Sequence, residues 1–551
     1  MTKPFVLFDT DSLKDFHKRI FFSMLMFLLV YFGAIFRITE IMLFKDTQAN
    51  IISNSNDIKE RGKIFDRNGN LLATSIISNS LSVNPNKIKN KYKLSKELSY
   101  ILKIEENTIL KKLQNQKKFV WIKRNITPKE HQKIIELGEI NLNIHNERKR
   151  IYPYFSIPSH IVGYVNIDGV GQAGIERSFE NELKNSKDVI LTLDINLQDA
   201  VREKLTKTIN TYRAESGVAI IMDIEKGEIL SSVSLPDFDP NNNKTFIKRN
   251  LINRVIQSNY EMGSTFKPIT AVMGFDKNLI SPEMKFNIKN SIKGINDYTK
   301  YEGDGNYNTE KIIVHSSNIG AAKIASHIGK KNQIDFFKKI GFFDRLNFEL
   351  KEAAKPLGNK NNWGEVETMT IGYGHGFAIT PLHLVKAYAS IANNGFEVNP
   401  TLLLRNKINY NKKLLLKKES SEYFLKLLRS VVRKTKFTGP RVKINGYDLG
   451  GKTGTAMIVN QNGGYYKDRD LTSFISIFPI KKPKYLVLTI LEYPKEIDEL
   501  DNKTTGAWVN APLVKEIILE MINILKIPKQ INQEILKVDI KHIYKTKNVT
   551  F

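Results

Sequence analysis

The sequence predicts an α+β protein in which an N-terminal apolar segment precedes a small mixed domain and a larger α+β domain. Three observations support this prediction. A charge-free apolar run lies near the N-terminus, helical patterns dominate residues 265–395, and strand patterns that occur earlier return at residues 444–493. The length of 551 residues is enough for about three or four domains.

Composition excludes several functional classes. Hydrophobic residues make up 41% of the chain and charged residues 26%, which excludes a fully disordered or collagen-like protein. The chain has no cysteine, so disulfides, thiolate nucleophiles and cysteine-based zinc sites are excluded. Its nine histidines include no HExxH or HxxH pair, and we predict neither a metal nor a cofactor. The net charge of +27 would suit a nucleic acid, but the basic residues form no single tract, so we predict no nucleic-acid partner.

Residues 20–36 form a charge-free run, IFFSMLMFLLVYFGAIF, at the lower edge of the length of a membrane-spanning helix. Lys14, Lys18 and Arg19 precede the run, so the N-terminus is expected in the cytoplasm. Arg37 follows directly, without a small-residue cleavage site, which favours an uncleaved anchor over a signal peptide. A buried core helix is the alternative, but the run is apolar on all sides. We therefore expect a single anchor, with most of the chain outside the cytoplasm.

Local patterns predict individual elements beyond a polar linker at residues 45–60. Turn signals and short apolar runs indicate hairpins, and apolar residues at helical spacing indicate helices. The predicted elements are a hairpin beginning at residues 61–69, one or two surface helices in residues 86–118, a helix that opens at Asp194, a buried strand at residues 217–224 with its hairpin partner at 228–233, and a last helix at about residues 512–525.

Residues 169–174, GVGQAG, match the GxGxxG fingerprint of dinucleotide-binding proteins, and Asp194 follows 20 residues after Gly174. No second βαβ unit or glycine-rich turn follows at the distance that a nucleotide-binding fold requires. We therefore interpret these glycines as turn residues rather than as a cofactor site.

Ser264-Thr-Phe-Lys267 is the only Ser-x-x-Lys sequence in the chain. On a helix, positions i and i+3 share a face, so the lysine amine can reach the serine hydroxyl. A serine nucleophile needs a neighbouring base, and burial near another cation favours the neutral lysine that can act as one. Taken alone the tetrapeptide is a weak signal, because chance occurrences are expected in a lysine-rich chain.

Two further motifs make the signal specific. Ser316-Ser-Asn318 offers a hydroxyl and an amide that can relay a proton and hold a substrate amide, although such clusters usually mark turns. Lys452-Thr-Gly-Thr455 is the only Lys-Thr-Gly sequence, and such an edge strand can bind a carboxylate while its backbone approaches the substrate. In this order and at these intervals, the three motifs are typical of the serine acyl-transferases, which comprise penicillin-binding proteins and β-lactamases.

The chain resembles a class B penicillin-binding protein over nearly its whole length. Residues 372–382, GYGHGFAITPL, resemble the segment that distinguishes division-specific from elongation-specific members. Met262 departs from the proline common before the nucleophile, and His383 departs from an expected glutamine. Other similar segments are RGKIFDRNGNLLA at residues 61–73, FVWIKR at 119–124, RIYP at 150–153 and residues 169–176 in the family's N-terminal pedestal, with LPDFDPN at 235–241 and YEMGS at 260–264 before the nucleophile.

The resemblance implies a role for each motif residue. Ser264 would be the acylated nucleophile and Lys267 its base, while the backbone N–H groups of Ser264 and Thr455 would form an oxyanion hole. The remaining roles are proton transfer to the leaving amine by Ser316, binding of the substrate peptide amide by Asn318, and binding of the terminal carboxylate by the strand residues Lys452, Thr453, Gly454 and Thr455. The reaction would be cross-linking of peptidoglycan stem peptides through an acyl-enzyme that β-lactams also form.

The resemblance also implies an architecture, a location and partners. We expect an antiparallel sheet flanked by helices, as in serine β-lactamases, anchored in the bacterial inner membrane with a periplasmic catalytic domain at the division septum. Expected partners are a membrane-embedded lipid II polymerase and other division proteins. The predicted divisions are a cytoplasmic tail (1–19), an anchor (20–44), a dimerisation-like pedestal (45–190), a transpeptidase domain (191–527) and a basic tail (528–551).

Four alternatives remain open at this point. An elongation-specific class B transpeptidase differs in its cellular role, and a D,D-carboxypeptidase differs in using water rather than an amine to resolve the acyl-enzyme. A secreted β-lactamase would need neither an anchor nor about 200 residues before the serine. A penicillin-binding sensor or inactive scaffold would not need the complete motif set.

Overall fold

The computed structural model describes residues 10–43, 60–358, 363–404, 413–459, 464–496 and 503–529. The chain divides into two compact units, residues 1–59 and residues 60–551. Residues 45–59 of the predicted linker (45–60) and residues 530–551 of the predicted basic tail (528–551) lie outside the described residues.

The first unit contains one long helix, α1 (Thr10–Leu43). Its stretch His17–Arg37 has a mean hydropathy of 2.1 and is long and apolar enough to cross a membrane. None of the apolar window is buried in the protein, which does not fit the alternative of a buried core helix. The helix begins at Thr10, ten residues before the predicted anchor, because the polar residues ahead of the apolar run continue the same helix.

Residues 60–190 form a mixed pedestal built on one long strand. The elements in chain order are β1 (Ile64–Phe65), β2 (Leu71–Val83), α2 (Lys91–Leu102), α3 (Glu106–Leu113), β3 (Val120–Ile126), α4 (Pro128–Glu136), β4 (Leu142–Ile151), α5 (Ser159–Val162), β5 (Tyr164–Val165), β6 (Gly171–Ala173), α6 (Gly174–Ser178), α7 (Glu180–Lys184) and β7 (Val189–Ile190). Strand β2 pairs with β1, β3 and β4, and β1 also pairs in parallel with β7.

The pedestal confirms the predicted hairpin and surface helices. Strands β1 and β2 pair antiparallel around a turn in which Gly69 has a φ of 84°, a conformation that glycine adopts without strain. Helices α2 and α3 lie within residues 86–118 and bury their apolar faces against β2 and β3. The GxGxxG segment forms β6 and the start of α6, and β6 pairs antiparallel with β5. Gly169 (φ 77°) and Gly174 (φ 62°) lie in the left-handed region, at the turn before β6 and at the start of α6, which agrees with their prediction as conformational glycines.

A buried ion network joins α6 to the residues just before β1 and to β4. The Glu176 carboxylate is fully buried and accepts hydrogen bonds from Arg61 Nε and Arg150 Nε, each at 2.7 Å. Arg61 also binds Glu180 at 2.8 Å. Because a buried carboxylate without a cation would be strongly unfavourable, these residues hold the two ends of the pedestal together.

The larger domain follows from α8 onward. Its elements are α8 (Ile195–Thr211), β8 (Ser216–Asp223), β9 (Ile229–Leu235), α9 (Arg254–Gln257), β10 (Tyr260–Glu261), α10 (Lys267–Asp276), β11 (Lys285–Asn287), β12 (Asn306–Asn308), α11 (Thr309–His315), α12 (Asn318–Ile328), α13 (Lys330–Ile340), α14 (Glu365–Gly372), β13 (Ala378–Ile379), α15 (Pro381–Ala392), α16 (Lys418–Lys434), α17 (Thr438–Val442), β14 (Gly450–Val459), β15 (Tyr465–Phe478), β16 (Tyr485–Glu492) and α18 (Asn510–Ile524).

One antiparallel sheet, in the order β14-β15-β16-β8-β9, organises this domain. Alternate residues of β8 face opposite sides, as the period of two requires. Val218, Ile220 and Met222 pack into the main core with the helices around α10, whereas Ala219 and Ile221 pack against α8 and α18. The sheet is therefore flanked by helices on both faces, which confirms the predicted α+β fold.

Candidate active site

Ser264 lies in a single 3₁₀ turn, Gly263–Thr265, that leads directly into α10. Lys267 is the first residue of α10, and Pro268 follows it, at a position where the missing N–H has no helical partner to lose. The buried Tyr388 hydroxyl donates a 2.6 Å hydrogen bond to the Thr265 carbonyl and so fixes the turn against α15. The Ser-x-x-Lys pair is thus held at the entrance of a buried helix.

Hydrogen bonds join the side chains of all three motifs. The Ser316 hydroxyl lies 3.0 Å from Ser264 Oγ. Lys267 Nζ donates to Ser316 Oγ at 3.2 Å, to Asn318 Oδ1 at 2.7 Å and to the Ser316 carbonyl. Lys452 Nζ donates to the same Ser316 hydroxyl at 3.0 Å. The structure therefore brings together five of the eight predicted site residues in one continuous network.

The two lysines are almost completely buried, at 1% exposure each. Burial and the nearby charge of Lys452 lower the pKa of Lys267 well below its usual range, although Asp297 opposes the shift. Burial lowers the pKa of Lys452 to about 7. Desolvation disfavours an ammonium ion and a second cation adds repulsion, so Lys267 is disposed to be a neutral amine that can accept a proton.

Strand β14 supplies the other three predicted residues. Thr453 and Thr455 lie partly exposed on one face of the strand, and the Thr453 carbonyl accepts a 3.1 Å hydrogen bond from Lys452 Nζ. Gly454 faces the turn that contains Ser264. A Cβ added at Gly454 would lie 3.0 Å from the Met262 carbonyl oxygen and 2.4 Å from Ser473 Oγ of β15. The glycine is required by this close approach of strand and turn.

Asp297 is a site residue that the sequence analysis missed. Its carboxylate accepts hydrogen bonds from the Ser317 hydroxyl at 2.6 Å, from the Asn318 N–H and from the Ile319 N–H at 3.0 Å. A carboxylate at the start of α12 also interacts favourably with the helix dipole. It thereby positions Ser316, whose φ of 57° places it in the left-handed region. Its hydrogen-bond partners begin 20 residues further along the chain, and no local pattern marks such a contact.

The segment at residues 372–382 packs against the turn at residues 263–265. Gly374 has a φ of 90°, its carbonyl accepts a 3.1 Å hydrogen bond from the Gly263 N–H, and an added Cβ would lie 2.1 Å from the Gly263 oxygen. Strand β13 pairs with β10, just ahead of Ser264. His383 departs from the expected glutamine but binds the Thr380 hydroxyl at 2.7 Å and the Asp344 carbonyl at 3.0 Å. This segment therefore positions the backbone around Ser264.

Two further polar groups lie beside the site, Glu261 of β10 and His375 of this segment. Gly376 N–H donates a 2.9 Å hydrogen bond to Glu261 in β10, and the Tyr465 hydroxyl donates to the same carboxylate at 2.9 Å. The ring of His375 lies 6.1 Å from that of Tyr465. Burial and the charge of Lys267 lower the pKa of His375 to about 4, so its imidazole is neutral. Glu261 and His375 lie within the segments YEMGS and GYGHGFAITPL, but the sequence did not distinguish them from their neighbours.

The Asp297 contacts predict a local stabilising role. Asp297→Ala removes all three hydrogen bonds at the start of α12, and we expect it to lower the free energy of unfolding by about 1–2 kcal/mol, as the loss of a helix cap does. The measurement is urea unfolding of the protein followed by fluorescence. Asp304→Ala is the matched control, because this exposed aspartate is hydrogen-bonded to Asn306 in a surface turn, and its loss should cost clearly less. Equal losses would contradict a special role for Asp297.

Comparisons with known proteins agree with this geometry. The family model of the penicillin-binding protein transpeptidase domain matches residues 217–519, and that of the penicillin-binding protein dimerisation domain matches residues 58–220.

Individual relatives extend the match to most of the chain. The peptidoglycan D,D-transpeptidase FtsI of Buchnera aphidicola subsp. Schizaphis graminum is 30% identical over 85% of this chain and 87% of its own. The probable peptidoglycan D,D-transpeptidase PenA of Neisseria meningitidis is 28% identical over 85% of both chains. The crystal structure of a peptidoglycan synthetase from Bifidobacterium adolescentis has a similar fold, with a TM-score of 0.67, 20% identity, and coverage of 86% of this chain and 96% of its own.

The two matched domains follow each other in the order that the sequence analysis expected, with the pedestal before the catalytic domain. The catalytic match contains every predicted site residue. The chain therefore belongs to the penicillin-binding protein family, as a class B member, and is a serine-type peptidoglycan D,D-transpeptidase.

Proposed function

We propose that this protein cross-links stem peptides during septal cell-wall synthesis, through an acyl-enzyme on Ser264. The observation that supports the catalytic part best is the hydrogen-bonded path from Ser264 Oγ through Ser316 Oγ to the buried Lys267. A serine hydroxyl becomes a nucleophile when a positioned base can take its proton. Burial lowers the pKa of Lys267, which favours the neutral amine that can act as such a base.

The first half of the reaction forms the acyl-enzyme. Ser264 Oγ attacks the carbonyl carbon between the last two residues of a stem ending in D-Ala-D-Ala, and its proton moves through the Ser316 hydroxyl to Lys267. The tetrahedral oxyanion is stabilised by the backbone N–H groups of Ser264 and Thr455. When the carbon–nitrogen bond breaks, the same path returns the proton to the leaving D-alanine amine.

The second half transfers the acyl group to an amine. The amine of a neighbouring stem attacks the ester carbon, the bond to Ser264 Oγ breaks, and the serine oxygen recovers a proton while the amine loses one to the Lys267 and Ser316 path. A D,D-carboxypeptidase would use water here instead. Asn318 accepts a hydrogen bond from Lys267 and offers its amide to the substrate peptide.

Lys452 has a separate role in this proposal. Its pKa of about 7 reflects burial, and no ion pair of Lys452 with a carboxylate is found among the described residues. A substrate carboxylate beside Lys452, Thr453 and Thr455 would supply that partner and favour the charged ammonium. The strand motif is therefore assigned to binding the terminal carboxylate, together with the close backbone approach that Gly454 allows.

The septal role rests on the segment at residues 372–382, which resembles that of division-specific members. An elongation-specific class B transpeptidase is the second candidate, because His383 departs from the expected pattern. In either role the proposed partners are a membrane-embedded lipid II polymerase and, for septal synthesis, other division proteins. β-Lactams act as inhibitors because they acylate the same serine.

The chemical roles can be separated by substitution. Ser264→Ala should abolish covalent labelling by a fluorescent β-lactam, because it removes the attacking oxygen. Lys452→Ala keeps nucleophile and base but loses a charge-assisted contact of about 1.5–3 kcal/mol. We expect its kcat/KM to fall for donors that carry the terminal carboxylate and to fall much less for a small thioester without one. Comparable losses with both donors would show that Lys452 supports the base or the structure.

Depletion of the protein in its host tests the septal role. Filamentous cells are expected, because side-wall growth continues when septal cross-linking stops. The measurement is cell length and width by microscopy, with re-expression of the wild-type chain as the control. Rounded and widened cells would favour the elongation role.

The proposed topology places the N-terminus in the cytoplasm and residues beyond about 45 in the periplasm, anchored by α1. Basic residues ahead of the apolar stretch support this orientation. A reporter that works only outside the cytoplasm should be active when fused after residue 60. Activity of a cytoplasm-only reporter at the same position would contradict the orientation.

A further inference from the structure

Glu261 is a half-buried carboxylate three residues before the nucleophile. Both its hydrogen-bond partners are neutral, the Gly376 N–H and the Tyr465 hydroxyl. Among the described residues, the groups that act on this carboxylate are these two neutral partners. Burial raises the pKa of the Glu261 carboxyl, and the hydrogen bonds from Gly376 and Tyr465 oppose this shift only in part. A partly desolvated carboxylate of this kind gains free energy when a cationic group comes to it.

The hydrogen bond from Gly376 connects Glu261 to the turn that packs against Ser264. Gly376 belongs to the turn whose Gly374 carbonyl binds the Gly263 N–H, directly before Ser264. His375 lies between these two glycines, and burial and then the charge of Lys267 lower its pKa. Burial, and after it the charges of Tyr298 and Glu261, raise the pKa of the Tyr373 hydroxyl. The carboxylate thus lies on the side of the site formed by β10, the turn at residues 372–376 and the start of β15.

His375 adds a second unsatisfied group on this side. Its Nδ1 is buried and has no hydrogen-bond partner among the described residues. Its ring lies between those of Tyr373, at 5.1 Å, and Tyr465, at 6.1 Å. In the tautomer with the proton on Nε2, a neutral imidazole offers Nδ1 as an acceptor. A buried nitrogen without a partner is expected to find one in a bound ligand.

The second substrate of the reaction carries a group that can bind both Glu261 and His375. In a transpeptidase the second substrate is a primary amine, which is an ammonium ion at neutral pH before it attacks. The donor's terminal carboxylate would be repelled by Glu261 and is assigned to Lys452. The donor carboxylate is therefore paired with Lys452, and the acceptor ammonium is paired with Glu261.

We propose that Glu261 binds the ammonium group of the acceptor stem and that the His375 imidazole accepts a hydrogen bond from one of its N–H groups. The bound group loses one proton to solvent water, and the resulting neutral amine is positioned to attack the acyl-enzyme and to give its second proton to the Lys267 and Ser316 path. This inference rests on the proposed acyl-enzyme at Ser264 and deepens it by assigning the acceptor subsite. Glu261 and His375 are positioning residues for the second half-reaction. Formation of the acyl-enzyme does not involve them.

The test compares two amines with the full-length protein and a small thioester donor. N-acetyl-lysinamide carries one ammonium group and no carboxylate, whereas hydroxylamine is uncharged at neutral pH. Glu261→Gln keeps an oxygen that can accept from Gly376 and changes only the charge. We expect about tenfold to a hundredfold slower transfer to N-acetyl-lysinamide, in keeping with the loss of a charge-assisted hydrogen bond, with a higher half-saturating amine concentration. Transfer to hydroxylamine should change less than about threefold, since no ammonium is recognised.

The controls separate this inference from the function on which it rests. Labelling by a fluorescent β-lactam reports acylation alone, and retained labelling of Ser264→Ala would overturn the proposed nucleophile. Glu520→Gln is the matched control, because this half-buried glutamate of α18 pairs with Lys204 at 3.2 Å on the other face of the sheet. It should leave transfer to both amines unchanged. Equal losses of Glu261→Gln with both amines, or no loss with either, would overturn the acceptor subsite.

Discussion

Burial of two lysine side chains around one serine hydroxyl is the constraint on which the rest of the site depends. Desolvation lowers the pKa of both ammonium groups, and their proximity lowers that of Lys267 further. Such an arrangement is unfavourable for folding, because burial removes the charged ammonium groups from water. The surrounding structure supports it with the network of Ser316 and Asn318 and with the Asp297 carboxylate at the start of α12. A rigid scaffold of sheet and buried helices is what makes this local cost tolerable.

Much of the fold followed from local sequence patterns. The β8–β9 hairpin, the helix after Asp194 and the last helix lie where apolar periodicity predicts them, because each buries one or both faces in the cores on either side of the sheet. The Ser264, Ser316 and Lys452 motifs could be found because their residue types and order are specific to one chemistry. The start of α1 at Thr10 was not predicted, since a polar stretch can extend a helix without any apolar signal.

The contacts that complete the site could not be predicted from the sequence alone. Asp297 binds amides that lie 21 and 22 residues further along the chain, and Glu261 binds an N–H that lies 115 residues away. Neither carboxylate differs locally from the many solvent-exposed acids of the chain. The glycines were informative only as turn signals, whereas the structure gives Gly374 and Gly454 a second reason. Each allows one backbone to approach another more closely than a Cβ would permit.

The strand order of the catalytic sheet has a consequence for how the chain reaches this structure. Strand β8 lies between β9 and β16, and Asp223 pairs with Tyr485, about 260 residues later. During synthesis at about 5–20 residues per second, β8 therefore waits roughly 13–50 seconds for its second neighbour. In that interval the β8–β9 hairpin presents an apolar edge with unpaired N–H and C=O groups, which favours pairing with the wrong strand. A nascent chain of this protein thus depends on protection from aggregation until almost its whole catalytic domain has been made.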